Sequence, residues 1–300
     1  MPCIQYQHKR FRADSLARIA KANDIIAEYQ EQGFDLTLRQ LYYQFVSRDL
    51  IPNNQKSYDN LGALISDARL AGLIDWNTIQ DRTRNLQSNS HWDSPDDIVD
   101  ACSRQYRVDL WENQPYRPEV WIEKDALIGV IEGVCTELDV PYFSCRGYTS
   151  QSEMWRAGQR LLKYGRNKQI PIIFHFGDHD PSGIDMTRDI RDRLEMFTGG
   201  EVRIERQALN MDQIEEFDPP PNFAKITDSR ADAYIAEFGE ESWELDALEP
   251  AEIVSLIRRA VTNVRDEKAW QKAVDRQTKG RDDLELVSSN WNTALSAVTA

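Results

Sequence analysis

Apolar residues in the first third of the chain recur at helical spacing in three separate stretches. This periodicity predicts helices over residues 14–31, 37–48 and 57–71. The second helix starts at Thr37, a residue type that suits the N-cap position. The stretch that follows, residues 73–84, lacks a helical period and predicts an extended strand or wing.

From residue 119 onward, short β-prone runs alternate with amphipathic runs. The β-prone runs predict strands over residues 120–122, 140–145, 170–176 and 201–209. The amphipathic runs predict helices over residues 125–138, 152–164, 184–197, 228–238, 250–264 and 266–278, followed by a polar end. Such alternation is typical of a parallel sheet flanked by helices.

The two patterns together predict an α/β protein built from two units. Residues 1–88 have the layout of a winged helix-turn-helix domain, in which three short helices precede an extended basic piece. Residues 89–118 are predicted to be a polar linker with one helix near residues 96–106. Residues 119–250 are predicted to form the parallel-sheet domain, and residues 251–300 a helical C-terminal extension.

Charge is distributed unevenly along the chain. The net charge of −14 argues against a nucleic-acid-binding protein. However, residues 1–90 contain 11 Lys and Arg against 10 Asp and Glu, whereas residues 201–300 contain 12 against 21. The N-terminal unit is therefore free to contact phosphate, and its basic residues include Lys9, Arg10, Arg12, Arg82 and Arg84.

Composition also narrows the cellular setting. No apolar stretch approaches the length of a membrane span, and the N-terminus lacks the pattern of a signal peptide. The four cysteines show neither CxxC nor zinc-site spacing, which favours reduced and mostly buried thiols. We therefore expect a cytoplasmic protein without a membrane partner.

Acidic side chains follow two of the predicted strands. Asp178 and Asp180 come directly after the strand at 170–176, and Glu123 follows the strand at 120–122. Because the carboxyl ends of parallel strands share one edge, the three carboxylates are expected to converge there. Carboxylates of this kind suit Mg²⁺ or Mn²⁺, which would assist chemistry at a phosphoryl group. The alternative is an Asp-rich turn or helix cap without a metal.

Two adjacent tyrosines lie on the second predicted helix. Tyr42 belongs to the apolar face of that helix and is expected in the core. Tyr43 falls off that face, one turn after Arg39. A cationic neighbour favours the phenolate that attack on a phosphodiester requires. The alternative is an exposed aromatic side chain with an ordinary cation–π neighbour.

These motifs resemble those of a known family. Glu123-Lys124, Gly147 and the stretch Gly177-Asp178-His179-Asp180-Pro181-Ser182-Gly183 resemble a Toprim domain, the metal-binding module of topoisomerases and primases. The Asp-Pro-x-Gly ending is similar in particular to the A subunit of topoisomerase VI and its meiotic double-strand-break relative. The segment Glu244-Leu245-Asp246-Ala247-Leu248 and the segment Arg39-Gln40-Leu41-Tyr42-Tyr43 also resemble motifs of that family. The chain departs from it after Gly147, where Tyr148-Thr149-Ser150 follows.

The resemblance implies a winged-helix plus Toprim protein that cleaves DNA. It implies that Tyr43 is the nucleophile, assisted by Arg39, and that Glu123, Asp178 and Asp180 hold Mg²⁺. In the family the tyrosine of one protomer works with the metal site of the other, so a homodimer is implied. No P-loop is present, so strand passage would require a separate ATPase subunit.

Two other functions fit the same sequence. One is a metal-dependent nuclease that uses activated water and forms no covalent intermediate. The other is a DNA-binding or regulatory protein that keeps the fold without catalysis. The fate of Tyr43 distinguishes the three, because a covalent adduct at this residue belongs to the first alone.

Overall fold

A four-stranded sheet forms the centre of the protein in the computed structural model, which describes residues 3–34, 36–79, 89, 91–200, 202–223, 228 and 230–299. The strand order is β2-β1-β3-β4, and every pairing in the sheet is parallel. The predicted parallel sheet is confirmed. Its strands are β1 (Tyr116–Ile122), β2 (Tyr142–Ser144), β3 (Ile170–Phe176) and β4 (Arg203–Ala208).

Helices account for most of the remaining described residues. In chain order they are α1 (Ala13–Glu31), α2 (Leu38–Ser47), α3 (Gln55–Leu70), α4 (Pro95–Gln105), α5 (Ile128–Glu137), α6 (Gln151–Arg166), α7 (Pro181–Thr198), α8 (Met211–Phe217), α9 (Ala231–Phe238), α10 (Pro250–Asn263), α11 (Glu267–Ser289) and α12 (Trp291–Thr299). A small antiparallel pair, β5 (Asn222–Phe223) and β6 (Glu241–Ser242), lies outside the main sheet. None of the helices in these described ranges is long and apolar enough to cross a membrane.

The first three helices pack around a core of their own. Their buried faces include Ile25, Tyr29, Leu41, Phe45 and Ile65. The predicted N-cap of α2 is confirmed, because the Thr37 hydroxyl accepts from the backbone N–H of Gln40 while the Gln40 side chain accepts from the backbone N–H of Thr37. The helices predicted here all form, with ends shifted by no more than two residues.

The predicted wing is only partly within the described residues. Within residues 73–79, the described part of this piece, one isolated bridge forms, between Ile79 and Leu36, and no ladder. Residues 80–84 of the predicted wing, including Arg82 and Arg84, lie outside the described residues. A winged helix-turn-helix therefore remains an interpretation of the sequence.

The sheet buries both faces, and its side chains alternate between two cores. Phe174 and Phe176 face the core formed with α5 and α10, whereas Ile173 faces the core formed with α6 and α7. His175 lies on this second face and is fully buried. Period-two alternation between two apolar layers is the expected pattern for a parallel strand covered on both sides.

The C-terminal part differs most from the prediction. Helix α10 places Ile253, Ile257 and Val261 in the core of the sheet, so it is integral to that layer. Helix α11 continues to Ser289 and is followed by α12, where a polar end was predicted. The prediction of mostly buried thiols was wrong for Cys3 and Cys102, which are exposed; Cys135 and Cys145 are buried, and all four are free.

Candidate functional site

The carboxyl edge of the sheet brings the predicted acids together from two neighbouring strands. Ile122 and Phe176 are paired in register at the ends of β1 and β3, so Glu123 and the Gly177-Asp178 step leave the sheet side by side. The Glu123 backbone N–H donates to the Phe176 carbonyl (2.8 Å), and Glu123 Oε2 accepts from the Asp178 backbone N–H (3.0 Å). The predicted convergence of Glu123 and Asp178 is thus present.

Asp180 caps the start of α7. It is the N-cap of this helix, and its Oδ1 accepts from the Gly183 backbone N–H (2.6 Å) and the Ser182 hydroxyl (3.0 Å). Pro181 occupies the first helical position, so the helix begins three residues before the predicted start at residue 184. A Cβ at Gly183 would overlap the carbonyl oxygen of Asp178, which explains the glycine at this position.

A lysine occupies the space beside Asp178. Lys124 Nζ lies 2.7 Å from Asp178 Oδ2 and 3.1 Å from Glu244 Oε2. The other oxygen, Asp178 Oδ1, accepts from the Leu245 backbone N–H (2.8 Å). Burial raises the pKa of Asp178 above its usual range, and the ammonium of Lys124 opposes that shift. Asp178 is therefore a buried carboxylate held in place from both sides.

Arg39 joins the N-terminal helices to the same edge. Its Nε lies 2.8 Å from Asp246 Oδ2, its guanidinium also pairs with Glu244, and it reaches the Tyr43 hydroxyl at 3.5 Å. The side chain of Asp246 has no solvent exposure, whereas that of Arg39 remains 42% exposed. We call Arg39, Glu244, Asp246 and Lys124 the ionic clasp, because these four side chains connect α2 to the sheet edge.

Tyr43 differs from its predicted setting. It lies beside Arg39 as expected, but it is 4% exposed, the same as Tyr42. The expectation that it lies off the buried surface of α2 was wrong, because the 244–247 segment covers the second side of this helix. Helical periodicity shows only which residues share a face, and α2 is buried on more than one.

The clasp also sets the acidity of Tyr43. Burial raises the pKa of the Tyr43 phenol, and the nearby carboxylates of Asp246 and Glu244 raise it further, while Arg39 opposes them. Burial works against charge on Glu244 too, but Lys124 and Arg39 outweigh it and lower the pKa of Glu244 to about 2. In this arrangement the phenol is therefore held protonated beside ionised Glu244.

Tyr43 and two of the predicted metal-binding acids line one cavity of about 500 Å³. Its wall is polar and contains Arg39, Tyr42, Tyr43, Asn53, Asn54, Gln55, Tyr58, Lys124, Asp178, Asp180, Asn222, Ser242 and Glu244. Glu123 lines a second cavity of about 910 Å³. The two cavities share Arg39, Tyr58 and Lys124 in their walls.

The donor set at this edge suits a hard cation without yet forming a closed site. Within the described ranges, no group of three or more His, Cys, Asp or Glu side chains is gathered closely enough to hold a metal ion. Burial, and after it the neighbouring Asp178, raise the pKa of Glu123 to about 7. Glu123, Asp178 and Asp180 supply the oxygen ligands that Mg²⁺ prefers.

Sequence reasoning missed several residues that shape the site. Arg206 donates to the carbonyls of Gly177, Asp178 and Leu209, and so fixes the loop that carries Asp178. Glu244 and Asp246 were visible only as part of a resembling segment, with no role attached. Nothing in the local pattern marks them, because their partners lie more than a hundred residues away.

His179 lies between the two acids in the sequence, and both its ring and its backbone are hydrogen-bonded to other parts of the protein. Its Nδ1 lies 2.8 Å from the Tyr234 hydroxyl, and its backbone pairs with Trp243 in both directions. Burial lowers the pKa of His179 to about 4, with Arg206 adding to the shift. His179 is therefore a neutral anchor for the segment that carries Glu244.

Comparison with known proteins leaves the family of this chain unassigned. The sequence matches no profile of a known protein family, and no curated protein is significantly similar to it. The function is therefore inferred from the geometry of the site.

Proposed function

We propose that the protein is a DNA-cleaving transesterase in which Tyr43 attacks a backbone phosphate with the help of Mg²⁺ or Mn²⁺. The observation that carries the proposal is the shared cavity, whose wall joins Tyr43 and Arg39 to Asp178 and Asp180. Glu123, Asp178 and Asp180 would hold the ion, with Glu123 adjoining from the second cavity. Winged-helix and Toprim-like domains, as the motifs suggest, fit the same proposal.

The reaction follows from the groups in the cavity wall. The Tyr43 oxygen forms a bond to phosphorus, the bond from phosphorus to the 3′ oxygen breaks, and the phenol proton leaves while the 3′ oxygen gains one. The products are a 5′-phosphotyrosyl bond and a free 3′-hydroxyl. Arg39, 3.5 Å from the Tyr43 hydroxyl, is placed to stabilise charge on the phosphoryl oxygens. A bound Mg²⁺ would polarise a phosphoryl oxygen and neutralise developing charge.

A phosphate in the cavity would change the setting of Tyr43. In the present arrangement Glu244 and Asp246 occupy Arg39 and disfavour the phenolate. A phosphodiester that replaced either carboxylate at Arg39 carries a negative charge of its own, so this exchange alone would not favour the phenolate. A cation bound beside the phosphate would supply the positive charge that lowers the pKa of Tyr43.

The same observation supports a second candidate. The raised pKa of Tyr43 and its burial favour a metal-dependent nuclease in which water attacks and Tyr43 only shapes the cavity. The carboxylates, Lys124 and Arg39 would keep their places in that reaction. Only the identity of the nucleophile changes.

The residues that line the cavity also bear on whether the protein needs a partner. A homodimer and an ATPase subunit follow from the family resemblance alone. One chain contributes both Tyr43 and Asp178 to the same cavity, which supports a reaction within a single copy as the alternative to a homodimer.

One experiment separates the candidates. The protein is incubated with labelled DNA and Mg²⁺ or Mn²⁺, denatured, and run on a gel that retains DNA attached to protein. The proposal predicts an adduct that requires the metal and disappears in Tyr43→Phe, while the neighbouring variant Tyr42→Phe retains it. Cleavage that survives Tyr43→Phe but is lost in Asp178→Asn supports the nuclease. DNA binding without cleavage leaves a non-catalytic protein.

A further inference from the structure

We propose that the outer face of α6 binds the phosphate backbone of DNA outside the cavity. The choice of DNA as the partner rests on the proposed function, whereas the surface is defined by its own residues. We call this surface the basic stripe, and its members are Arg156, Arg160, Lys163, Arg166 and Lys168. The first four lie on α6 at spacings of four, three and three residues, which place them along one side of the helix. The fifth follows directly after the helix.

The basic stripe faces away from the rest of the protein. The other side of α6 is buried through Met154, Ala157, Gly158 and Leu161. All five members of the stripe, by contrast, are exposed. The stripe is therefore open to a partner as large as DNA.

Acidic residues are absent from this part of the chain. Residues 154–177 are the longest stretch of the sequence without Asp or Glu, although the protein as a whole has a net charge of −14. The neighbouring helix α7 and the long helix α11 instead mix acids with bases. Basic side chains gathered along one face of a helix are the charge pattern expected of a surface that contacts nucleic acid.

Nearby carboxylates neutralise only two members of the stripe. Arg160 pairs with the buried Glu119, and Arg156 pairs with Glu153 on the same helix. Among the residues that the structure describes, the other three members form no ion pair: Lys163, Arg166 and Lys168. Three cationic groups are thus left for phosphates to neutralise, with release of the counterions that surround DNA.

The cavity itself offers little attraction for DNA. Its wall contains Arg39 and Lys124 against Asp178, Asp180 and Glu244, so its net charge is negative. Contacts from Lys and Arg to phosphates supply most of the affinity in sequence-independent DNA binding. A DNA-binding protein with such a site needs cationic groups outside the cavity, and the basic stripe supplies three that are unpaired.

The position of α6 connects the stripe to the candidate site. The helix begins shortly after Arg146 and Gly147, which line the second cavity, and the chain then returns to the amino end of β3 at Ile170. The basic positions from Arg156 to Arg166 extend over about 15 Å of helix axis. This is the length of about four base pairs of DNA. The stripe therefore begins beside the candidate site and leads away from it.

Salt-dependent binding tests the inference. Tyr43→Phe protein, which cannot form the adduct, is titrated in EDTA against a fluorescein-labelled duplex of about 30 base pairs at several salt concentrations. A stripe variant adds Lys163→Gln, Arg166→Gln and Lys168→Gln to this protein. We expect the stripe variant to bind at least about tenfold more weakly at about 0.1 M salt. A plot of log K against log salt concentration should become shallower by about two to three, because three phosphate contacts are lost.

A matched control removes the same charge elsewhere. Lys268→Gln, Lys272→Gln and Lys279→Gln change three exposed lysines of α11, a helix whose Trp270 packs in the core on the opposite face of the sheet. This control should keep the affinity and the salt dependence of the parent. A variant with Lys163→Arg and Lys168→Arg keeps the charge of the stripe and should also bind like the parent. Thermal unfolding of each variant shows that weaker binding belongs to a folded protein.

Three results would overturn the inference. The first is unchanged binding in the stripe variant. The second is an equal loss in the stripe variant and the α11 control, which would show that only the net charge matters. The third is tighter binding of poly-glutamate than of a duplex of equal charge, lost in the stripe variant, which would assign the surface to an acidic protein.

This inference and the proposed function fail in different ways. Binding is measured without metal and with a protein that lacks the Tyr43 hydroxyl, so it does not depend on the chemistry. A wild-type protein that binds DNA through the stripe but never forms an adduct refutes the transesterase and keeps this inference. An adduct at Tyr43 together with unchanged duplex binding in the stripe variant does the opposite.

Discussion

Burial sets the chemistry of individual side chains around the sheet edge. His175, Asp178 and Tyr43 are all excluded from water, and each is consequently biased toward its neutral form. For Asp178 a lysine compensates, and for Tyr43 an arginine opposes the shift in part. His175 has only the Thr187 hydroxyl (2.9 Å) and the Cys145 thiol (3.7 Å) as polar partners. Its burial therefore carries a pH dependence that can be measured.

His175 should make the protein less stable in acid. Burial lowers its pKa from 6.5 to about 3, so the unfolded chain takes up a proton below pH 6.5 that the folded protein does not bind. The free energy of unfolding is expected to fall by about 2 kcal/mol between pH 6.5 and pH 5 from this group alone. Urea titrations of His175→Gln should show a decline smaller by that amount, and an equal decline in both proteins would contradict the assignment.

A metal ion bound by the carboxylates at the sheet edge should raise the thermal stability of the protein. Ligation of Mn²⁺ or Mg²⁺ by Glu123 and Asp178 would stabilise the fold, raising the thermal midpoint by about 3 °C over its value in EDTA. Glu123→Gln and Asp178→Asn should lose that rise, whereas Glu153→Gln, a surface acid on α6, should keep it. An unchanged midpoint in the wild-type protein, or the same rise in all variants, would refute this metal site.

At the scale of elements, the ionic clasp connects α2 to the carboxyl edge of the sheet. Asp246 is buried and depends on Arg39 and Lys124 for compensation, while Arg39 keeps access to water. Burial raises the pKa of Asp246 to about 6 even with these partners present. The two ends of this pair are thus unequal, and removing one differs from removing the other.

Because Asp246 is buried and Arg39 is partly solvated, the two single substitutions in a double-mutant cycle should destabilise the protein by different amounts. Arg39→Met leaves a buried carboxylate and should cost about 3 kcal/mol of unfolding free energy, whereas Asp246→Asn frees a solvated guanidinium and should cost about 1 kcal/mol. The double variant should be more stable than Arg39→Met alone. Arg48→Met, which breaks an exposed pair with Glu28 at the end of α2, is the matched control and should cost less than 1 kcal/mol. Additive losses in the cycle would show that the clasp is not coupled.

The sequence anticipates the elements whose signal is local. Strand β3 is a short run that is apolar except for His175 and is predicted to the residue, and α2 is marked by its Thr37 cap. Helix α8 was missed because its seven residues are too short to show a period. The full length of α11 depends on packing against the 95–106 region, where Gly280 lies under the Tyr106 ring. That contact joins residues far apart in the chain, and no local pattern reports it.

The candidate site also contains some features that the sequence predicts and others that depend on tertiary contacts. The positions of Glu123 and Asp178 follow from strand ends and parallel topology, both of which are readable from the sequence. The burial of Tyr43 and the roles of Glu244 and Asp246 depend on how the 241–248 segment folds back over α2. The antiparallel pairing of His179 with Trp243 positions that segment, and it is a tertiary contact without a sequence signature.

At the scale of the whole molecule, one cavity is lined both by side chains of the N-terminal helices and by side chains of the sheet edge. Tyr43 and Arg39 come from the N-terminal helices, and Lys124, Asp178 and Asp180 from the sheet edge. The family resemblance instead implies a site shared between two protomers. The two arrangements differ in whether two variants, each inactivated at a different residue, regain activity when they are mixed.

Mixing inactive variants tests this arrangement. A site built within one chain predicts that Tyr43→Phe protein mixed with Asp178→Asn protein forms no more adduct than either alone, since neither chain holds a complete cavity. A co-expressed mixture should be used, so that any dimers have formed from both chains. Recovery of the adduct in the mixture would show that the tyrosine works with the acids of a partner.

The central claim is that Tyr43 itself becomes joined to DNA, and peptide mapping tests it most directly. After reaction with Mg²⁺ and DNA, nuclease trimming and trypsin digestion after Arg39 and Arg48, the peptide 40–48 carries both tyrosines. We predict that this peptide gains the mass of the trimmed nucleotide and that its fragments place the added mass on Tyr43. The mass on Tyr42, or an unmodified peptide from a reaction in which the DNA has been cut, would contradict the account.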